Sequence, residues 1–237
     1  VRYYGAETGI LATEWAEIDG KRYYFGEDGY MVTGWLQLGE YRYYLQEDGA
    51  AAVGPKEIDG TVYYFTPKGI HVVLVNTKHK VPKGYDADLV TVVDYHRVSR
   101  VALEPLQRML ADCVAAGNQY TFNSAYRSLT QQQAILDMRT LEYENLGMAH
   151  NAAYYKARQT VALPGTSEHH LGLAVDIVDT RSWNLNEEQE NLPGQKWLMN
   201  NCWRYGFILR YTEEKEDITG VMDEPWHFRY VGTRVSL

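Results

Sequence analysis

Residues 15 to 74 can be written as three rows of twenty that superimpose without a gap: WAEIDGKRYYFGEDGYMVTG, WLQLGEYRYYLQEDGAAAVG and PKEIDGTVYYFTPKGIHVVL. A half-repeat, VRYYGAETGILATE, precedes them. Tyr3-Tyr4, Tyr23-Tyr24, Tyr43-Tyr44 and Tyr63-Tyr64 fall in register, as do Gly9, Gly29, Gly49 and Gly69. A fixed period of this length restricts the segment to a stack of like units. Asp19-Gly20 and Asp59-Gly60 stand between short apolar runs and suit two-residue hairpin turns in which both residues accept positive φ; Gly39-Glu40 suits the related turn with glycine first. Each unit therefore reads as a β-hairpin followed by a glycine turn. A lone hairpin cannot bury its aromatic face, so successive units must pack into an all-β solenoid. Fourteen of the 31 aromatic residues lie in residues 1 to 72, more than a thin solenoid buries, so some are expected to face a ligand.

The register is lost near Val72, which places the boundary between a repeat domain, 1–72, and a second domain, 73–237. Residues 1 to 72 carry 6 basic and 11 acidic side chains, and the remainder 17 and 20, for a net charge of -8. That field repels a phosphate backbone and argues against a nucleic-acid partner. No apolar run approaches the roughly 20 residues of a membrane span, and the opening residues lack the layout of a signal peptide, which leaves a secreted origin open. Cys113 and Cys202, 89 residues apart, form no thiolate zinc motif and read as buried free thiols, with a single bridge as the alternative.

In the second domain, Leu103, Leu106, Leu110 and Val114 recur at helical spacing, with Gly117 as the stop and Pro105 placed in the first turn. QYTFNSAYRS reads as a strand running into a turn, followed by a polar helix from about Thr130 to Glu144. LAVDIVD reads as a short buried strand, QKWLMNNCWRYG as a helix stopped by Gly206, and WHFRYV as a strand. Helices grouped with a few short strands, without repeated βαβ units, indicate an α+β fold.

Three segments of this domain carry the reactive side chains. In TSEHHLGLAVDI, residues Ser167, His169, Gly172, Ala174 and Asp176 fit S-x-H-x-x-G-x-A-x-D. Asp176 lies inside an apolar strand, where an unpaired carboxylate would cost several kcal/mol, so something cationic must meet it. A turn at Gly172 lets His169 swing back to the same point. In DEPWHFRYVG, alternation sends His227 to the side opposite Trp226, Phe228 and Tyr230, and Pro225 holds Glu224 extended. Two imidazoles, a carboxylate and a free glutamate make a three-ligand zinc site with an open fourth position and a base that is not a ligand. In FNSAYRSLTQQQ, Arg127 follows a strand end, where its charged fork could polarise a carbonyl or bind a carboxylate. His170 reads as structural, and His71, His79, His96 and His150 as surface residues.

The repeats resemble the cell-wall-binding repeats of Gram-positive surface proteins, which include choline-binding and clostridial toxin forms. In the choline form, a Gly-Trp, a Trp before the Tyr-Tyr pair and a Tyr of the next unit cage a quaternary ammonium. Trp15 and Gly34-Trp35 match the first element, but Arg22, Arg42 and Val62 replace the second Trp. An arginine in the cage wall repels choline, so the resemblance implies a glycan or teichoic-acid polymer as ligand, met by Trp15, Trp35, Tyr23, Tyr24, Tyr43 and Tyr44, or else a structural spacer. The three reactive segments, with FILRYTEEKEDITGVMDEPWHFRYVG as a whole, resemble the VanY-type D-alanyl-D-alanine carboxypeptidases and the related L,D-carboxypeptidases, over roughly residues 72 to 237. That resemblance implies an α+β zinc peptidase fold shared with hedgehog-type domains, Zn2+ held by His169, Asp176 and His227, Glu224 as catalytic base and Arg127 as transition-state stabiliser. It also implies substrate contacts from Ser167 and Gln132, a peptidoglycan stem peptide as substrate with D,D or L,D cleavage open, and an extracellular, wall-associated location. The competing readings are a non-catalytic wall-peptide binder and an endopeptidase of cross-bridges.

Overall fold

The computed structural model of the chain describes residues 1–5 and 9–236, so residues 6–8 of the opening half-repeat lie outside the described residues. The chain divides into two compact units, Val1–Val73 and Leu74–Leu237.

In the first unit each repeat is a two-stranded antiparallel hairpin: β1 (Glu14–Ile18) with β2 (Lys21–Phe25), β3 (Gly34–Leu38) with β4 (Tyr41–Leu45), and β5 (Gly54–Ile58) with β6 (Thr61–Phe65). The turns follow their residues: Asp19-Gly20 and Asp59-Gly60 have positive φ at both positions, whereas only Gly39 does in Gly39-Glu40. These are the mirror-image turns whose twist matches that of the strands. The short β7 (His71–Val72) pairs with β6. Successive hairpins are joined by the isolated bridges Tyr23↔Ala50, Phe25↔Met31 and Leu45↔Ala51 rather than by one continuous sheet.

Packing between units repeats with the sequence. A Cβ at Gly29 would lie 2.5 Å from the Leu11 side chain, one at Gly49 2.1 Å from Met31 Sδ, and one at Gly69 3.2 Å from Ala51 Cβ. Leu11, Met31 and Ala51 are equivalent positions, and each sits against the glycine of the following unit. These glycines thus serve twice, supplying positive φ and the space for a neighbour. Phe25, Tyr43, Leu45, Ile58 and Phe65 form the buried interior.

The second unit begins with a hairpin, β8 (Leu89–Val93) and β9 (His96–Ser99), that leads into α1 (Arg100–Ala115). Ala102, Leu106, Met109, Leu110 and Cys113 face the core. Because α1 starts at Arg100, Pro105 lies in its second turn rather than the first. Next come β10 (Thr121–Ser124), α2 (Leu129–Asn145), α3 (His150–Ala157), β11 (Ala174–Val178), α4 (Pro193–Asn201), β12 (Phe207–Leu209) and β13 (His227–Tyr230). The antiparallel sheet has the order β10-β11-β13-β12. Its buried face, with Val175, Ile177, Phe207, Phe228 and Tyr230, packs in one cluster with α1 and with Leu198 of α4. This is the α+β architecture expected. Cys113 and Cys202 are free thiols buried in that cluster. No helix among the described residues is long and apolar enough to cross a membrane.

Two of the histidines expected at the surface pack against aromatic rings instead. His96 is buried, with its ring stacked between Tyr95 and Phe122. His71 is half-buried against Trp35, Tyr63 and Phe65; burial, reinforced by the charge of Arg42, lowers its pKa to about 4. The unfolded chain protonates this ring near 6.5, so between that pH and about 4 the unfolded state binds the extra proton and stability declines as pH falls. We expect the thermal midpoint of the full chain to drop across this window, and His71→Phe to flatten that part of the profile when followed by aromatic circular dichroism.

Candidate functional site

The site is built on the two central strands of the four-stranded sheet. Asp176 of β11 and His227 of β13 are direct cross-strand partners, so the ladder itself sets carboxylate beside imidazole, with His227 Nδ1 3.0 Å from Asp176 Oδ1. His169 arrives by a different route. Ser167 Oγ accepts from the His169 N–H at 3.4 Å and caps a short 3-10 turn, Glu168–Leu171. Gly172 then turns the chain with φ +67°. The reversal puts His169 Nε2 3.1 Å from Asp176 Oδ2. One donor atom from each of His169, Asp176 and His227 lies within 4.8 Å of the others, and all three residues are buried.

This donor set fits a zinc ion. Two imidazole nitrogens and one carboxylate leave a fourth tetrahedral position free. His169 Nδ1 is 2.7 Å from the Ala125 carbonyl and donates to it, which fixes the tautomer and leaves the Nε2 lone pair free; Nε2 itself is buried without a hydrogen-bond partner. Burial, with the charge of Arg127, lowers the His169 pKa to about 4, so the ring is neutral at neutral pH. Burial also opposes ionisation of Asp176, but the two imidazoles outweigh it and hold the carboxyl well below its usual range. For His227, burial is outweighed by hydrogen bonds to Asp176 and Glu168, and the pKa rises to about 9, so an ion that binds here displaces the Nδ1 proton.

Glu224 precedes β13, with its Oε2 3.6 Å from His227 Nδ1. Burial is the main cause that lifts its pKa to about 7. The backbone around it is held by His227 N–H donating to the Glu224 carbonyl at 3.1 Å and by buried Gln195 donating to the Pro225 carbonyl. Arg127 lies between β10 and α2, whose first turn is locked by a reciprocal capping box between Ser128 and Gln131. Its Nη2 is 3.6 Å from Asp176 Oδ2, the cation that the buried carboxylate required. His170 is structural, as expected: Nδ1 lies 2.6 Å from the Arg127 carbonyl and Nε2 accepts from Gly165 N–H at 3.0 Å.

Arg127, Gln132, Ser167, His169, Glu224 and His227 all line one cleft. Gln132 Nε2 donates to the Ala162 carbonyl at 2.7 Å. Sequence reasoning passed over Glu168 and Tyr211. Tyr211 packs its ring 4.8 Å from that of His227. Glu168 is 4% exposed and ion-paired with Arg210 and Arg229; burial is outweighed by Arg229, His227 and Arg210, which hold its carboxyl near a pKa of about 2. Lying between Ser167 and His169, it could have been noticed only as an acid beside two residues already chosen.

In the repeats, Trp15 meets Tyr24 and Tyr43, and Trp35 meets Tyr44 and Tyr63, at centroid distances of 4.7 to 5.3 Å. Arg22 lies 4.1 Å above the Trp15 ring and Arg42 3.7 Å above Trp35. Each indole face thus already carries a cation from its own hairpin. Tyr43 is 1% exposed, so it supports Trp15 from inside rather than facing a ligand. Tyr23, in the same register, is paired across its hairpin with Ala16 and is half-buried.

The chain matches the family described as VanY: D-alanyl-D-alanine carboxypeptidase over residues 95–233, and a choline-binding repeat family over residues 12–54. A D-alanyl-D-alanine carboxypeptidase of Enterococcus faecalis is 39% identical over 166 residues, covering 70% of this chain and 60% of the relative; the chain therefore spans less than two thirds of that protein. A solved structure of a variant of the vancomycin-resistance D,D-pentapeptidase VanY in complex with Zn(II) is 38% identical, with a TM-score of 0.62 over 69% of this chain and 89% of the other. The LD-carboxypeptidase LdcB is 32% identical, with a TM-score of 0.59 over 78% and 86% of the two chains.

The turn at Gly172 leaves no room for a side chain. An alanine Cβ there would lie 2.9 Å from both Ser99 N and Leu89 Cδ2, on top of the roughly 1–2 kcal/mol cost of a left-handed backbone. Gly172→Ala is expected to lower the thermal midpoint and to weaken divalent-metal binding in a chelator-competition titration.

Proposed function

Because the chain belongs to the VanY family of D-alanyl-D-alanine carboxypeptidases, we propose that it is a zinc-dependent peptidase that removes the terminal D-alanine from peptidoglycan stem peptides. The observation that carries this reading is the convergence of His169, Asp176 and His227 within 4.8 Å, with Glu224 3.6 Å from His227. These three side chains would hold the ion. Zinc, when bound, supplies Lewis-acid chemistry, polarising a carbonyl and bringing the pKa of a coordinated water toward about 7.

The chain's own residues do the rest. Glu224, with a pKa lifted to about 7, takes a proton from the attacking water and hands it to the amine of the departing D-alanine. One C–N bond breaks, one C–O bond forms, and the carboxyl group ends ready for the next cycle. Arg127 directs its charge into the same cleft and stabilises the negative charge that develops on the scissile carbonyl oxygen, a contribution on the order of 10²–10³ in kcat. Ser167 and Gln132 contact the peptide. The repeats hold the enzyme on a wall glycan or teichoic-acid polymer outside the cell, which raises the local concentration of stem peptide without any new contact in the cleft.

Mass spectrometry of products from defined tetra- and pentapeptide stems tests the reaction. Loss of a single D-alanine by the zinc-loaded chain is expected, and Glu224→Gln should lower kcat by about 10²–10⁴ while one zinc per chain is retained. Equal turnover in the two proteins would instead identify a non-catalytic peptide binder, and internal fragments would identify an endopeptidase.

A second measurement addresses the repeats. With Arg22 and Arg42 seated on the indole faces, millimolar choline should neither release the chain from purified walls nor change its tryptophan emission. Arg42→Ala, which uncovers Trp35, should acquire choline-dependent quenching. Release of the unaltered protein by choline would contradict the glycan or teichoic-acid assignment.

A further inference from the structure

The three metal-facing residues leave one buried acid without a task. Glu168 opens the 3-10 turn that carries His169, yet its side chain serves the other imidazole. Its Oε1 accepts from Arg210 Nε at 3.0 Å and lies 3.3 Å from Arg229 Nη1. Its Oε2 lies 3.4 Å from His227 Nε2, on the side of the ring opposite the nitrogen that faces Asp176. A carboxylate that is 4% exposed is costly unless paired. Two arginines are enough to hold it, and they do so with one oxygen, which leaves the other free to face the imidazole.

From this arrangement we infer that Glu168 is a positioning residue for the metal centre: it keeps the ring proton of His227 on Nε2 and so presents the Nδ1 lone pair to the ion. His169 obtains the same service from the Ala125 carbonyl, so the two imidazoles are oriented by different means, one by a neutral backbone acceptor and one by a charged side chain. The difference has a chemical result. A carboxylate at the outer nitrogen makes an imidazole a stronger donor than a carbonyl does, and loss of such a partner typically costs 10–100-fold in metal affinity. The arginine pair makes the arrangement durable, because Arg210 follows β12 and Arg229 lies within β13, so the acid is anchored to the sheet that carries His227 and not only to its own turn.

The inference rests on the zinc reading and is tested so that the two can fail separately. Zinc affinity by chelator competition, the visible spectrum of the cobalt(II)-substituted protein and the thermal midpoint of the metal-free protein are measured for the unaltered chain, Glu168→Gln and Glu168→Asp. Glu168→Gln keeps the shape but not the charge; Glu168→Asp keeps the charge and withdraws it from Nε2. We expect the zinc dissociation constant to rise by about 10–100-fold in Glu168→Gln and the cobalt spectrum to shift in both variants. If the unaltered chain takes up no zinc, the zinc reading itself fails. If it binds zinc and both variants match its affinity and its cobalt spectrum, with or without a lower midpoint, Glu168 only braces the fold and the inference is overturned. Should Glu168→Gln not fold, the spectrum of Glu168→Asp decides alone.

Discussion

The pairing of Asp176 with His227 across two central strands is the constraint from which the rest of the second unit follows. A five-residue strand buried at every position tolerates a carboxylate only if cationic or hydrogen-bonding groups surround it. The surroundings are drawn from three places in the sequence: Arg127 after β10, His169 on the turn before β11, and His227 at the start of β13. The sheet order β10-β11-β13-β12 is what makes those places neighbours. The geometry of the site thus comes from ladder register, where a slip of one residue would turn His227 to the opposite face.

Much of this could be read before any coordinates, because the signals are local. The hairpins are legible from Asp-Gly and Gly-Glu turns and from a fixed period, both of which act within a few residues. The relation of His169 to Asp176 is legible because Gly172 marks the reversal between them. What escaped depends on burial, which is a property of the assembled chain. Glu168 reads as a polar residue until Arg210 and Arg229, more than forty positions away, close over it. His96 reads as a surface residue until Phe122 stacks on it. Pro105 is tolerated deeper in α1 than its residue type suggests, with the preceding turn at Val101 open to solvent. Tyr43 matches a binding position by register but is filled over by its neighbours. The small elements α3 and β12 carry too weak a periodicity to be assigned alone.

The repeats and the metal centre handle positive charge in opposite ways. In the centre, Arg127 is aimed at a carboxylate and stays available to a second negative charge. In the repeats, Arg22 and Arg42 are spent on indole rings of their own hairpins, and a position suited to a foreign cation is filled from within. One arginine per twenty-residue unit thus covers an indole while the turns and glycines that build the scaffold are kept.

The contact between each glycine and the side chain of the preceding unit has a consequence for how such an array can change over time. Leu11, Met31 and Ala51 descend in bulk along the stack, and the socket at each glycine matches its own occupant. A unit can be gained or lost as a whole block of twenty without disturbing backbone register. Shuffling the order of units changes which side chain meets which glycine, as Leu11 now meets Gly29, Met31 meets Gly49 and Ala51 meets Gly69. The number of units in this architecture is therefore freer to vary than their order.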